Sequence, residues 1–96
     1  MGTSKEYRDY VLEQLSLLEG VTCRPMMGEF LLYNNGTLFG GIYDFRLLVK
    51  ITDTNKVFGM SEEIPYKGAK PMFKPDIENK KILKEIVLAT CEGLKK

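Results

Sequence analysis

Apolar side chains recur with two different periods along these 96 residues, and each change of period marks a new element. Near the N-terminus the period is helical. It predicts a first helix from about Ser4 to Glu19, with an apolar stripe of Tyr7, Tyr10 or Val11, Leu15 and Leu18. Thr3 and Glu6 have the spacing of a capping box at its start. Gly20 is a natural stop.

The same helical period returns at the other end of the chain. Asp76 is placed as a helix N-cap, where its carboxylate can accept hydrogen bonds from free backbone amides. A last helix of about sixteen residues follows. Its inner stripe is predicted to be Ile82, Leu83, Ile86, Val87, Thr90 and Leu94.

Between the helices the pattern indicates strands. Val21 to Met26 is rich in strand-forming residues but contains Pro25, which suits an edge or a bulge. A three-stranded meander follows, turning at Asn35-Gly36, a strong hairpin signal, and at Asp44-Phe45. After it we expect a short helical turn within residues 52–63, and a further strand around Met72 to Lys74.

Two-residue loops at both turns fix which residues share a face of the sheet. One face is then the core face, with Leu31, Tyr33, Leu38, Gly40, Ile42, Leu47, Val49 and Ile51. The other face carries Phe30, Leu32, Phe39, Gly41, Tyr43, Arg46, Leu48 and Lys50. Because helices would cover only the first, the second is predicted to present an exposed apolar patch that suits a partner or a second copy.

This order of elements predicts an α+β fold of two layers: an antiparallel sheet with the N-terminal and C-terminal helices packed on one face. Residues 1–96 are long enough for one domain with a single core. The N-terminus has no apolar signal-peptide core, and no apolar run approaches the length of a membrane span. We therefore expect a cytoplasmic protein.

The composition bears on nucleic-acid binding, metal binding and catalysis. Fourteen Lys and Arg against thirteen Asp and Glu give a net charge of +1, which offers no argument for nucleic-acid binding. There is no histidine, and Cys23 and Cys91 have no metal-ligand spacing. We expect reduced thiols, with a disulfide between them as the alternative. We expect no metal, cofactor or catalytic residue, and so no enzyme.

Three segments together resemble the N-terminal domain of the TfoX/Sxy family of bacterial competence regulators. They are "RPMMGEFLLY", "NNGTLFGGIYDFRLLVK" and "YKGAKPM". The resemblance implies a curved antiparallel sheet with flanking helices, similar to secretion chaperones. It also implies a regulatory role, exerted with another transcription factor. The regulators carry a second, C-terminal domain that these 96 residues do not include.

Two sets of residues are candidate sites. The first is an interaction surface of Arg24, Met26, Met27, Glu29, Phe30, Leu32, Phe39, Tyr43, Arg46, Leu48 and Lys50. Methionines suit adaptable contacts, although Met26 or Met27 can equally fill the core. The second is a loop for an anion or small ligand, with Tyr66, Lys67, Gly68 and Lys70, joined by Arg24; the alternative is a solvated turn.

The first set favours a small protein-interaction or regulatory domain. Its expected partner is a protein, such as a transcription factor, or a second copy in a homodimer. The second set favours the alternative function, a domain that binds a small ligand or anion.

Overall fold

A six-stranded antiparallel sheet forms the centre of the protein, with both helices on one face. The computed structural model describes residues 2–95. Its elements are α1 (Lys5–Gln14), β1 (Val21–Met26), β2 (Glu29–Asn34), β3 (Thr37–Ile42), β4 (Leu47–Val49), a helical turn (Lys56–Phe58), β5 (Ser61–Glu63), β6 (Met72–Lys74) and α2 (Lys80–Leu94). The strand order β1-β2-β3-β4-β6-β5 makes β1 and β5 the edges. The predicted α+β class is confirmed, and β5 is the one strand that was not expected.

In both helices the N-cap is a different residue from the one predicted. Ser4 caps α1, where its Oγ accepts a hydrogen bond from the Tyr7 amide at 3.1 Å. Asn79 caps α2, accepting from the amides of Lys81 and Ile82 at 3.1 Å each. The side chains of Thr3 and Asp76 instead form bonds outside these helix starts.

The apolar stripes of the helices differ in detail from those predicted. α1 ends at Gln14 rather than near Glu19, although Leu15 and Leu18 still pack in the core. Ile82 was predicted to face inward on α2 but is 44% exposed. The buried side chains of α2 are Leu83, Ile86, Val87, Thr90 and Cys91.

Both hairpin turns have positive φ at their two central residues, as type I′ turns require. The φ values are 51° and 83° at Asn35 and Gly36, and 51° and 61° at Asp44 and Phe45. Phenylalanine is unfavourable there because its Cβ crowds the backbone. Contacts hold it in place: the Phe45 amide donates to Thr3 Oγ1 at 3.1 Å, and its ring meets Tyr7 edge-on at 5.5 Å.

A β-bulge at Phe39 changes which side chains face the helices. Leu32 pairs with Gly40 but Tyr33 pairs with Leu38, which leaves Phe39 as an extra residue in β3. One extra residue shifts the alternation of side chains, so that on one side of the bulge each residue faces the opposite way from that expected without it. The predicted faces are therefore wrong for Leu31, Tyr33, Leu38, Phe30, Leu32 and Phe39. They are correct for Gly40, Ile42, Leu47 and Val49.

The core lies between the helices and the inner side of the sheet. It unites Val11, Leu15 and Leu18 with the strand residues Phe30, Leu32, Phe39, Ile42, Leu47, Val49 and Phe73 and with Leu83, Ile86, Val87 and Cys91. Burial of apolar surface of this kind is the main favourable contribution to folding. Because helices from both ends of the chain share one cluster, they cover the same face.

The exposed apolar patch predicted from the sequence does not exist. Phe30, Leu32 and Phe39 lie in the core because of the bulge. Tyr43 and Leu48 lie outside that core, yet they are only 7% and 0% exposed. The ring of Tyr43 packs over Gly41, the strand partner of Leu48, on the outer side of the sheet. These five residues are therefore packed within the chain and are not available as an apolar contact surface.

Candidate binding surface

The outer side of the sheet, which the helices leave uncovered, has two distinct regions. We call the first the open face; it consists of Arg24, Met26, Leu31, Tyr33 and Leu38 on β1 to β3. The second is a cleft of about 580 Å³ between the sheet and the loop of residues 64–71. This loop cleft is lined by Tyr43, Lys50, Ile51, Pro65, Tyr66, Ala69, Lys70, Pro71 and Met72.

Strand alternation places the open-face residues on the outer side. Cys23 packs against the core and is followed by Arg24, while Leu31 lies between the core residues Phe30 and Leu32. Arg24 pairs with Leu31, and Tyr33 pairs with Leu38. Arg24 is exposed, and Met26, Leu31, Tyr33 and Leu38 are each partly exposed. The open face is thus a modest apolar strip with a cation beside it.

Arg46 holds the loop that covers the rest of the outer side. Its guanidinium donates to Glu63 Oε1 at 2.7 Å, to the Ile64 carbonyl at 3.3 Å and to the Pro65 carbonyl at 3.2 Å. A fourth bond runs from Nε to the carbonyl of Tyr43 at 3.2 Å. Hydrogen bonds from a charged donor are stronger than neutral ones. The residue predicted to border a binding patch therefore fastens the loop to the sheet.

A tight turn shapes the far end of the loop. The Ala69 amide donates to the Tyr66 carbonyl at 3.0 Å, and Gly68 at the third turn position has φ of 89°. That conformation favours glycine, because other residues rarely adopt positive φ there. The turn carries Lys67 outside the cleft lining, whereas Tyr66 and Lys70, on either side of it, line the cleft.

Aromatic rings form one wall of the loop cleft. The rings of Tyr43 and Tyr66 are 6.0 Å apart between centroids and tilted by 50°. Tyr43 can lie flat on the sheet only because residue 41 is glycine; a Cβ there would come within 2.8 Å of Tyr43 Cε2. Burial, then the neighbouring Tyr66 and Glu29, raises the pKa of Tyr43 above its ordinary value. Its hydroxyl is therefore a neutral hydrogen-bond donor at physiological pH.

Two lysines provide the charge of the cleft. Lys50 follows β4, and its position is fixed through Asn55, whose side-chain amide donates to the Lys50 carbonyl at 2.8 Å. Asn55 is fully buried and also donates to Thr90 Oγ1 at 2.8 Å. Within residues 2–95 neither Lys50 nor Lys70 forms an ion pair. No carboxylate lines the cleft, so its charge is purely positive.

The remaining predicted residues are dispersed. Met27, at the tip of the β1–β2 turn, is 96% exposed and has φ of 51°. Glu29 is occupied internally, because its Oε1 accepts from the Thr3 amide, the Thr3 hydroxyl and the Asp44 amide at 3.1, 2.7 and 3.1 Å. Arg24 lines a separate depression with Thr22, Tyr33 and Gly36, so it does not join Tyr66 and Lys70 in one site.

Sequence reasoning missed the roles of Arg46 and Asn55. Both act through contacts with residues distant in sequence: Glu63 and Pro65 for Arg46, and Thr90 for Asn55. Nothing in the local pattern distinguishes them from other polar residues next to a strand. The only available signal was that "ITDTN" is rich in residues that form turns through side-chain hydrogen bonds.

Among residues 2–95 the cysteines form no disulfide and belong to no metal-binding cluster. Both cysteines are free thiols, Cys91 buried and Cys23 partly exposed. Burial raises the pKa of each thiol, which lowers the fraction of reactive thiolate. No cluster of three metal-binding side chains occurs among these residues. None of their helices has the length and apolar character to cross a membrane.

Comparison with known proteins gives one informative similarity. No protein-family model matches the chain. Over 98 residues it is 31% identical to an uncharacterized 12.7 kDa protein in the trpE 5′ region of Spirochaeta aurantia. The alignment covers 98% of this chain and 85% of the relative. The similarity therefore spans both regions of the outer side, while the relative's description names no activity.

Proposed function

This chain belongs to the same family as the uncharacterized Spirochaeta aurantia protein, and we propose that it is a small protein-interaction domain whose contact surface is the open face. The resemblance to TfoX/Sxy N-terminal domains supports a regulatory role within this proposal. In that role the domain contacts a transcription factor rather than DNA, and it works in the cytoplasm.

The observation that carries the proposal is the one-sided packing of the helices. Both helices share a single core with the inner side of the sheet. Leu31, Tyr33 and Leu38 lie on the outer side, outside this core, and are left partly exposed. Adjacent apolar residues that stay partly exposed and are bordered by polar residues are typical of protein-contact sites.

The charges of the outer side select the kind of partner. Two acidic residues beside it are occupied internally, Glu29 by Thr3 and Asp44 and Glu63 by Arg46, and no acidic residue belongs to the open face or lines the loop cleft. Arg24, Lys50 and Lys70 remain without ion pairs among the described residues. Cations without ion pairs on the open face and in the loop cleft attract an acidic partner, whereas two copies facing each other would repel. We therefore propose an acidic partner protein and treat the homodimer as the competing outcome.

Site-specific photo-crosslinking in the native host tests this proposal. Benzoylphenylalanine replaces Leu38 on the open face in one variant and the exposed Lys84 on α2 in a control variant. We expect an adduct only from position 38, with a partner whose crosslinked peptide is acidic by mass spectrometry. Arg24→Glu should reduce its yield severalfold, because the charge contact becomes repulsive. Lys84→Glu should not change it.

Three results would reject the proposal. The first is an adduct at position 38 that contains only a second copy of the chain, which would establish the homodimer instead. The second is equal crosslinking from positions 38 and 84, and the third is no crosslinking from position 38. The regulatory role has its own readout: transcripts of competence genes should change on deletion of the gene and recover with the wild-type chain but not with Arg24→Glu.

The small-ligand alternative is favoured by one specific observation. The loop cleft brings together Tyr66 and Lys70, two of the predicted ligand residues, with Tyr43 and Lys50 from the sheet. Its volume of about 580 Å³ falls in the range of small-molecule sites. The two functions use different regions of the same outer side, so they can be tested separately.

A further inference from the structure

The loop cleft combines two features that flat protein surfaces lack, concavity and a pre-formed wall. Arg46 fixes the loop through three bonds to residues 63–65, and the turn from Tyr66 to Ala69 closes its far end. Pro65 and Pro71 restrict the backbone at both ends of the loop segment that lines the cleft. A cleft that is already shaped binds a ligand with little cost for ordering side chains and loops.

The polar groups of the cleft all suit an anion. Lys50 and Lys70 have no internal ion pair within residues 2–95, and no acidic side chain lines the cleft. All buried polar side-chain atoms of these residues have hydrogen-bond partners, and the Tyr43 hydroxyl is not among the bonded groups. That hydroxyl therefore retains access to solvent, and Tyr43 is one of the residues that line the cleft. Two ammonium groups and a neutral phenol recognise a carboxylate or similar anion.

The apolar groups of the cleft suit a flat body. The Tyr66 ring is 58% exposed and stands next to Tyr43, with Met72, Ile51 and Pro71 also in the lining. An exposed tyrosine ring offers its face to a planar ligand, and thioethers make favourable contacts with aromatic rings. A bare inorganic anion would leave these groups unused.

We infer that the loop cleft is a binding site for a small aromatic carboxylate, with Lys50 and Lys70 paired to the carboxylate and the ring set against Tyr66 and Met72. This inference specifies the ligand class of the small-ligand alternative and does not depend on the protein-interaction function. The Tyr43 hydroxyl donates a hydrogen bond to the carboxylate.

Titration with a matched pair of probes tests the inference. Indoleacetate has the required ring and charge, and indoleacetamide is its neutral counterpart of nearly the same shape. Binding is measured by calorimetry and mapped by two-dimensional NMR of the folded full-length chain. We expect indoleacetate to bind about tenfold more tightly than the amide, because two partly exposed lysines each contribute modestly. Shift changes should centre on Tyr66, Lys70 and Met72.

Variants distinguish binding of indoleacetate in the cleft from its unspecific attraction to surface cations. Lys50→Gln and Lys70→Gln should each weaken indoleacetate binding about threefold. Tyr66→Ala should weaken it about fivefold through the lost ring contact. Lys67→Gln removes the same charge from the same loop outside the lining and should change nothing. Each variant is first shown to be folded by its NMR spectrum.

Several outcomes would overturn the inference. They are equal affinity for the acid and the amide, inorganic phosphate binding as tightly as indoleacetate, equal losses from Lys67→Gln and Lys70→Gln, and no shift changes at Tyr66 or Met72. None of these outcomes bears on the crosslinking at position 38. Conversely, absence of an acidic partner at the open face would leave the cleft result standing, so the two proposals fail separately.

Discussion

The two sides of the β-sheet are built from alternate residues of the same strands, yet the helices cover only one of them. On the inner side Phe30, Phe39 and Val49 are at most 7% exposed and pack under both helices. On the outer side Leu31 and Leu38 remain partly exposed, and Arg24 beside them is exposed. Both sides are apolar in sequence. Apolar content alone therefore does not reveal which side of a strand a protein covers.

The largest expected effect contrasts two neighbours at the bulge. Phe39 is fully buried, and Phe39→Ala should lower the free energy of unfolding by about 3–5 kcal/mol through lost burial and the cavity left behind. Leu38 lies on the open face, where Leu38→Ala should cost less than about 1 kcal/mol because surface substitutions are usually mild. Urea denaturation of both variants, with unchanged slopes, measures the difference.

The pair also tests the face assignment itself. With the unbulged register, Leu38 would be the core residue and Phe39 the outer one, and the two costs would be reversed. Comparable losses for the two variants would show that the bulge does not separate the two faces.

Local signals predicted most of the elements. The Asn35-Gly36 hairpin, the edge position of the Pro25 strand and the strand at Met72 all depend on residues close in sequence. The missed strand β5 reads "SEE", which has neither apolar alternation nor β-branched residues. It forms because it pairs with β6, a contact between segments separated by a loop.

The sequence did not predict the bulge or the correct helix caps, and the reason is physical. The extra residue at Phe39 allows Phe30, Leu32, Ile42 and Val49 to face the helices together, and only the assembled core determines that outcome. Thr3 has the right chemistry for a cap, but its hydroxyl donates to Glu29 at 2.7 Å. Long-range contacts of this kind outweigh local preferences in both cases.

The candidate surface was predictable only in part. The loop residues Tyr66 and Lys70 were identified from composition, and Tyr43 and Lys50 were identified as part of a different surface. Their meeting in one cleft depends on Arg46, which fastens the loop across residues separated by up to 19 positions. A sequence pattern can indicate the chemistry of each segment, but not which segments a long-range hydrogen bond brings together.

A second, intermediate effect contrasts two arginines of the outer side. Arg46→Ala removes four hydrogen bonds to the loop and to Tyr43 and should lower the free energy of unfolding by about 1–2 kcal/mol, a value reduced by its partial exposure. Its NMR spectrum should show shifts at Tyr66 and Ala69. The matched change Arg24→Ala, on the exposed open face, should leave both stability and those signals unchanged. Equal effects would show that the loop does not depend on Arg46.

The smallest expected effect contrasts the wild-type chain with a variant of the cleft wall at alkaline pH. Burial first, then Tyr66 and Glu29, raises the pKa of Tyr43 above its ordinary value of 10.0 in the folded chain. The folded state thus holds this proton more tightly than the unfolded state, and the resulting stability is fully present below pH 10. It is lost as pH rises from there through the folded pKa. Tyr43→Phe should therefore reduce the fall in urea midpoint above pH 10 relative to the wild-type chain. A fall of the same size in the variant and in the wild type would mean that the ionisation of Tyr43 is not coupled to folding.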